Sequence, residues 1–164
     1  MACCWVASNM TAYTPYTSFA FRAGYDGRGV RIFDQGSGPP LIVIPGVQGR
    51  QEWFAPTFAA LKSRCRTISF TLAAPMTPGL MAGRIVESQA IDFSLDCVAV
   101  QAPTLVISGE PHLDRIVPVE STRKYAEMIR GAKYVMLERT GHLGMVTRPA
   151  EWAEIVTQFV SENV

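Results

Sequence analysis

A chain of 164 residues with 48% hydrophobic and 18% charged residues can bury a real core, and its apolar content argues against disorder. Its 15 basic and 14 acidic residues give a formal net charge of +1 with no run of like charge, so neither nucleic acid nor a membrane surface is expected as a partner. A small molecule or another protein fits that balance better.

The first eighteen residues are expected to form a poorly ordered segment rather than a secretory leader. No basic residue precedes Arg22, and Asn9, Thr11 and Thr14 interrupt the apolar stretches. No apolar run approaches the roughly 18–20 residues needed to span a bilayer. Residues 19–164 are expected to form one domain. Phe19 and Phe21, then Val30 and Ile32, read as two short strands joined by the turn Asp26-Gly27-Arg28-Gly29. After a Gly/Pro-rich loop at 35–40, Leu41–Ile44 is a continuous apolar run, predicting a strand buried on both faces and ended by Pro45-Gly46. Trp53, Phe54, Phe58 and Leu61 recur at helical spacing, which predicts a helix over Glu52–Ser63, and Thr67–Phe70 reads as a second buried strand.

Thr71–Asp96 differs in character. Met76, Leu80, Met81 and Ile85 could line one helix face, Pro75 and Pro78 stand at its start, and no buried parallel strand is evident. Regular alternation returns with a strand at Thr104–Ile107, a loop from Gly109 to Val117, and a helix from Pro118 to Ile129. A strand at Tyr134–Leu137, a loop at Glu138–Met145 and a helix at Pro149–Val160 follow. Trp152, Ile155, Val156 and Phe159 supply the apolar stripe of that helix. The pattern predicts an α/β fold, a mostly parallel sheet with flanking helices.

Cys3, Cys4, Cys65 and Cys97 contain no C-x-x-C pair, and two histidines are too few to make a zinc site with them. Cys65 and Cys97 read as small buried hydrophobes in strand-like surroundings, and the cysteine usage suits a reduced, cytoplasmic protein. There is no G-x-G-x-x-G and no G-x-x-x-x-G-K-[ST], so no cofactor is expected.

Asp114 and His142 stand out because each lies in a Gly-flanked loop just beyond the C-terminal end of an expected buried strand. That edge of an open parallel sheet is where ligands and catalytic groups gather. A carboxylate there can orient an imidazole, which then removes a proton from a nucleophile. Alone, either residue would be an ordinary surface or turn residue; the pairing sets them apart. His112 has no such context.

The segments Ser108-Gly109-Glu110, Asp114-Arg115-Ile116-Val117-Pro118 and Gly141-His142 resemble the acid and histidine segments of the α/β-hydrolase family. Pro39–Val47 is similar to the family's oxyanion strand and turn, with Pro45 in the place of the usual histidine. The resemblance covers about 19–70 and 102–164. It implies a shortened α/β-hydrolase fold, Asp114 as the triad acid, His142 as the base, and Gly46 and Val47 as oxyanion-hole candidates whose backbone N–H groups would serve. It also implies ester-like or related acyl substrates.

The family's nucleophile sits in a G-x-S-x-G elbow, and no such frame occurs in the chain, with Ser, Cys or Asp. Ser69, Ser88 and Ser108 are not flanked by glycines in a tight turn. The nucleophile strand, its helix, the next strand and most of the cap are therefore expected to be absent, with the join near Thr71–Pro75. Two outcomes are expected for the sheet. Either it closes up into about six strands with Leu41–Ile44 beside Thr104–Ile107, or free apolar edges promote self-association. For function, an impaired hydrolase stands beside two rivals: a non-catalytic ligand-binding protein, and a truncated product without a selected role.

Overall fold

The computed structural model describes residues 31–46, 48–71 and 77–163. Strand β1 (Arg31–Gln35) runs antiparallel to β3 (Arg66–Thr71), with Phe33 opposite Ser69. On the other side of β3 lies β2 (Pro40–Val43), parallel to it, with Ile42 opposite Ile68. A 3-10 turn at Gln51–Phe54 leads into α1 (Ala55–Leu61), the crossover from β2 to β3. The helix predicted as one piece over 52–63 thus starts as a tighter turn, because Pro56 suits a helix start and not an interior. A second parallel pair, β4 (Leu105–Ser108) and β5 (Lys133–Met136), sets Val106 opposite Tyr134 and is bridged by α4 (Val119–Met128).

The expectation of one closed-up sheet of about six strands is corrected. The described residues form one sheet in the order β1-β3-β2 and a separate sheet β4-β5, so β2 and β4 each have a strand neighbour on one side only. Among its described residues, the connecting stretch contributes α2 (Pro78–Gln89) and α3 (Ser94–Ala99) and no strand. Thr77 caps α2 by accepting the Leu80 N–H through its hydroxyl at 3.2 Å, and Pro78 occupies the first turn, yet α2 buries none of its residues. Phe19, Phe21 and Val30 of the expected hairpin, residues 1–18, and Met76 lie outside the described residues; Ile32 falls in β1.

A second correction concerns burial. Along β2 the side chains alternate: Leu41 and Val43 are buried, while Ile42 is 44% exposed, as is Ile44 just beyond the strand. The core covers one face of this sheet and leaves the other open. In that core, Leu41, Val43, Phe58, Leu61 and Cys65 pack with Leu137, Met145, Trp152, Val156 and Val160. The last three lie on α6 (Pro149–Glu162), whose buried face follows the predicted helical stripe except for half-buried Ile155. One core therefore joins both strand sets. Burial also raises the Cys65 thiol above its ordinary range, with nearby Arg64 opposing weakly, so Cys65 acts as a hydrophobe. Cys97 is buried too, in α3 rather than in a strand.

One further tie is polar. The buried Thr57 hydroxyl on α1 donates to the Met145 carbonyl in α5 (Gly144–Thr147), fastening the first crossover to the segment that follows His142. Across β1 and β3, Arg66 grips Asp34 with two bonds, Nε to Oδ1 at 2.9 Å and Nη2 to Oδ2 at 2.6 Å. The guanidinium hydrogen bond holds the Asp34 carboxyl below its ordinary value, outweighing partial desolvation. A depressed folded-state value stabilises above the unfolded carboxyl pKa of about 3.9 and loses that contribution as pH falls through the lower folded value. Wild type is thus expected to unfold at higher urea than Asp34→Asn at neutral pH, with the gap closing in acid below about pH 4. A gap that stays constant on acidification would show that the ion pair does not set it.

Candidate active site

Parallel pairing of β4 and β5 brings their C-terminal ends side by side, and the loop that leaves each carries one residue of the expected pair. In the first loop, the N–H groups of Leu113 and Asp114 both donate to the Glu110 carbonyl at 3.0 Å, forming a tight turn. Asp114 then folds its side chain back on the chain ahead. Its Oδ1 accepts the N–H groups of Ile116 and Val117, both at 3.0 Å. This leaves Oδ2 free to face His142, whose Nδ1 lies 3.5 Å away. The carboxylate is 7% exposed and the imidazole 25%. At 3.5 Å the contact is longer than the roughly 2.7–3.2 Å of a formed N–H···O bond.

Two glycines permit this approach. A Cβ on Gly109 would stand 2.5 Å from the carbonyl oxygens of Thr140 and Gly141. One on Gly141 would stand 2.3 Å from the Leu113 carbonyl oxygen and 2.9 Å from the Asp114 nitrogen. Backbone meets backbone on both sides, so neither loop tolerates a side chain at these positions.

The other expected site residues are placed less completely. Gly46 follows β2 in a turn closed by the Gly49 N–H donating to the Gly46 carbonyl at 2.8 Å; Val47 lies outside the described residues. The 3-10 turn that comes next packs against α5, so this segment neighbours the one beyond His142. Each serine weighed as a substitute nucleophile is engaged elsewhere. Ser69 donates to the Val43 carbonyl at 2.7 Å, and Ser88 to the Ile85 carbonyl at 2.8 Å. Ser108 donates to the Gly109 carbonyl at 3.0 Å and shares a 2.6 Å hydrogen bond with the Tyr134 hydroxyl. Among the described residues no hydroxyl is hydrogen bonded to His142. Leu113, Ile116 and Leu143, within two residues of Asp114 or His142 along the chain, are exposed apolar side chains. Sequence reasoning did not single out these three; isolated exposed apolar residues carry no signal until a neighbour gives them meaning.

No family profile matches the chain. It is 30% identical over 87 residues to the "Putative carbamate hydrolase RutD" of Pseudomonas savastanoi pv. phaseolicola, covering 53% of this chain and 32% of that one. It is 31% identical over 64 residues to 2-hydroxy-6-oxo-6-(2'-aminophenyl)hexa-2,4-dienoic acid hydrolase of Metapseudomonas resinovorans, covering 39% of this chain and 21% of that one. The chain therefore spans about a third or less of the curated relatives it matches. In three dimensions it resembles the enol-lactonase of Burkholderia xenovorans LB400 with a TM-score of 0.67 at 14% identity, over 87% of this chain and 100% of that one. No helix among the described residues is long and apolar enough to cross a membrane. Parallel strand pairs with acid and histidine loops at their ends, taken with these likenesses, give the chain a shortened α/β-hydrolase fold, and its sequence holds no G-x-S-x-G.

Proposed function

We propose that the chain carries a hydrolase-type acid–base pair, Asp114 and His142, acting on ester-like or related acyl substrates with water in place of the missing serine. The observation that carries this reading is the fixed Asp114 carboxylate, one oxygen held by two N–H groups and the other turned toward His142 Nδ1. With a proton on Nδ1 facing the carboxylate, Nε2 is the basic nitrogen. It can take a proton from a water as that water attacks an acyl carbon, and the pair can return the proton to the leaving oxygen. Gly46 and Val47 remain the candidates for holding the developing oxyanion through backbone N–H groups. Exposed apolar side chains beside the pair in the chain, Leu113, Ile116 and Leu143, support a substrate with a hydrocarbon portion, and the names of the similar proteins, a carbamate hydrolase and an enol-lactonase among them, support acyl chemistry.

The magnitude is bounded by what each group can contribute. A general base supplies roughly 10²–10⁴-fold, whereas loss of the serine from a complete triad costs on the order of 10⁶ in kcat. Turnover is thus expected to be slow. Hydrolysis of p-nitrophenyl acetate by wild type is expected to exceed that of His142→Ala by on the order of 10². Equal rates would remove the enzyme reading. The second reading, a non-catalytic ligand-binding protein, is favoured by the lack of a hydroxyl on His142 among the described residues. Thermal stabilisation of wild type by a non-hydrolysable acyl analogue, without turnover of the ester, would select it.

Self-association belongs to the same proposal. β2 and β4 each offer an unpaired edge among the described residues, and Ile42 and Ile44 add exposed apolar surface. A second copy is the expected partner, visible as a dimer in size-exclusion chromatography; a stable monomer at high concentration would remove it. A reducing cytoplasmic setting is supported by the buried free thiols of Cys65 and Cys97.

A further inference from the structure

Glu110 touches the loop that carries His142 at two consecutive residues. Its backbone N–H donates to the Thr140 carbonyl at 2.8 Å, and its carboxylate Oε1 accepts the Arg139 N–H at 2.5 Å. Its own carbonyl, meanwhile, accepts the two N–H groups that shape the turn into Asp114. One residue thus grips both loops of the pair.

Arg139 is the point where this grip matters. Among the described residues it is the only non-glycine with positive φ, at 58°. A residue with a Cβ resists this left-handed conformation unless its surroundings hold it there. The charge-assisted bond from its N–H to a carboxylate is such a hold, stronger than a bond between neutral groups. The turn also sets where Gly141 lies against Leu113 and Asp114, and hence where the imidazole of His142 stands.

We infer that Glu110 is a positioning residue: through the Arg139 N–H it holds the left-handed turn that sets His142 Nδ1 against the Asp114 carboxylate. His112 Nδ1 lies 3.4 Å from the other Glu110 oxygen, but its side chain is 71% exposed, so this surface contact adds little to the grip. The inference rests on the Asp114–His142 pair of the proposed function, but its test does not depend on turnover.

The readout is the neutral-ring tautomer of His142 by ¹⁵N NMR, at a pH where the imidazole is uncharged. A carboxylate beside Nδ1 keeps the proton on Nδ1. Wild type is expected to show the Nδ1–H form. Glu110→Ala is expected to shift the ring to mainly Nε2–H, while Glu110→Gln, whose amide oxygen can still accept the Arg139 N–H, keeps Nδ1–H. The double variant Glu110→Ala/Arg139→Gly is expected to recover Nδ1–H, because glycine adopts the left-handed turn without support. A Glu110→Ala protein that keeps the wild-type tautomer overturns the inference, as does a double variant that fails to recover it. If Glu110→Ala alone does not fold, the double variant decides by the same criterion. An inactive wild type with these tautomer changes would remove only the enzyme reading, leaving the positioning role standing.

Discussion

Phe58→Ala is expected to lower stability by about 3–5 kcal/mol, the range for truncating a large aromatic in a packed core. Phe58 is 1% exposed; its ring lies 4.5 Å from Phe33, centroid to centroid, and meets Phe54 edge-on at 6.1 Å. Helix α1 is only seven residues long, so it has little intrinsic stability and leans on this contact to stay folded. Because a domain's whole margin is about 5–15 kcal/mol, the loss is a large share of it, and the urea midpoint of the variant is expected to fall far below that of wild type. Ile42→Ala serves as the control. That side chain is nearly half exposed, so the urea midpoint is expected to move little. Comparable shifts for both variants would mean that the core does not centre on α1.

Much of this was legible beforehand, for identifiable reasons. The segments at 41–44, 67–70, 104–107 and 134–137 each correspond to an observed strand, because residues rich in β-branched and aromatic side chains between turn signals suit a pleated, partly buried backbone; in β3 it is nevertheless the polar Thr67, Ser69 and Thr71 that are buried. What sequence could not supply was the partner of each edge. The pattern of β2 reads as doubly buried, yet Ile42 and Ile44 are open, since burial depends on elements elsewhere in the chain. The Asp114–His142 pair was readable because glycines and strand ends mark such loops. Glu110 was visible only as part of a motif. Its role depends on Arg139 adopting positive φ, and nothing in the side chain of an arginine announces that.

Gly141→Ala is the second large effect. The new methyl would press on the Leu113 carbonyl and the Asp114 nitrogen, backbone atoms that cannot rotate away, so the two loops must part. Such overpacking costs about 1–3 kcal/mol, but the larger consequence falls on the pair itself. With Nδ1 already 3.5 Å from Oδ2, any separation removes the contact. Ester hydrolysis by Gly141→Ala is expected to fall to the level of His142→Ala, with the melting temperature reduced. Gly144→Ala is the matched comparison: there a methyl would meet mainly side-chain atoms of Leu137 and Thr140 at 3.0 Å and beyond, which can yield. Wild-type hydrolysis in Gly141→Ala would show that the loops carry more slack than their backbone contact implies.

The separation into two sheets also bears on how the molecule acquires its structure. Each parallel pair is closed by its own crossover helix, β2 to β3 by α1 and β4 to β5 by α4, so each can assemble from contacts close along the chain. The contacts between them, Phe58 and Leu61 with Trp152 and Val156, are distant in sequence and must come together against loop entropy. Refolding is therefore expected to be limited by the docking of α6 onto α1, and the Thr57–Met145 bond forms in that step. A substitution at Trp152 would then slow refolding more than one on α4, a difference that stopped-flow kinetics would resolve.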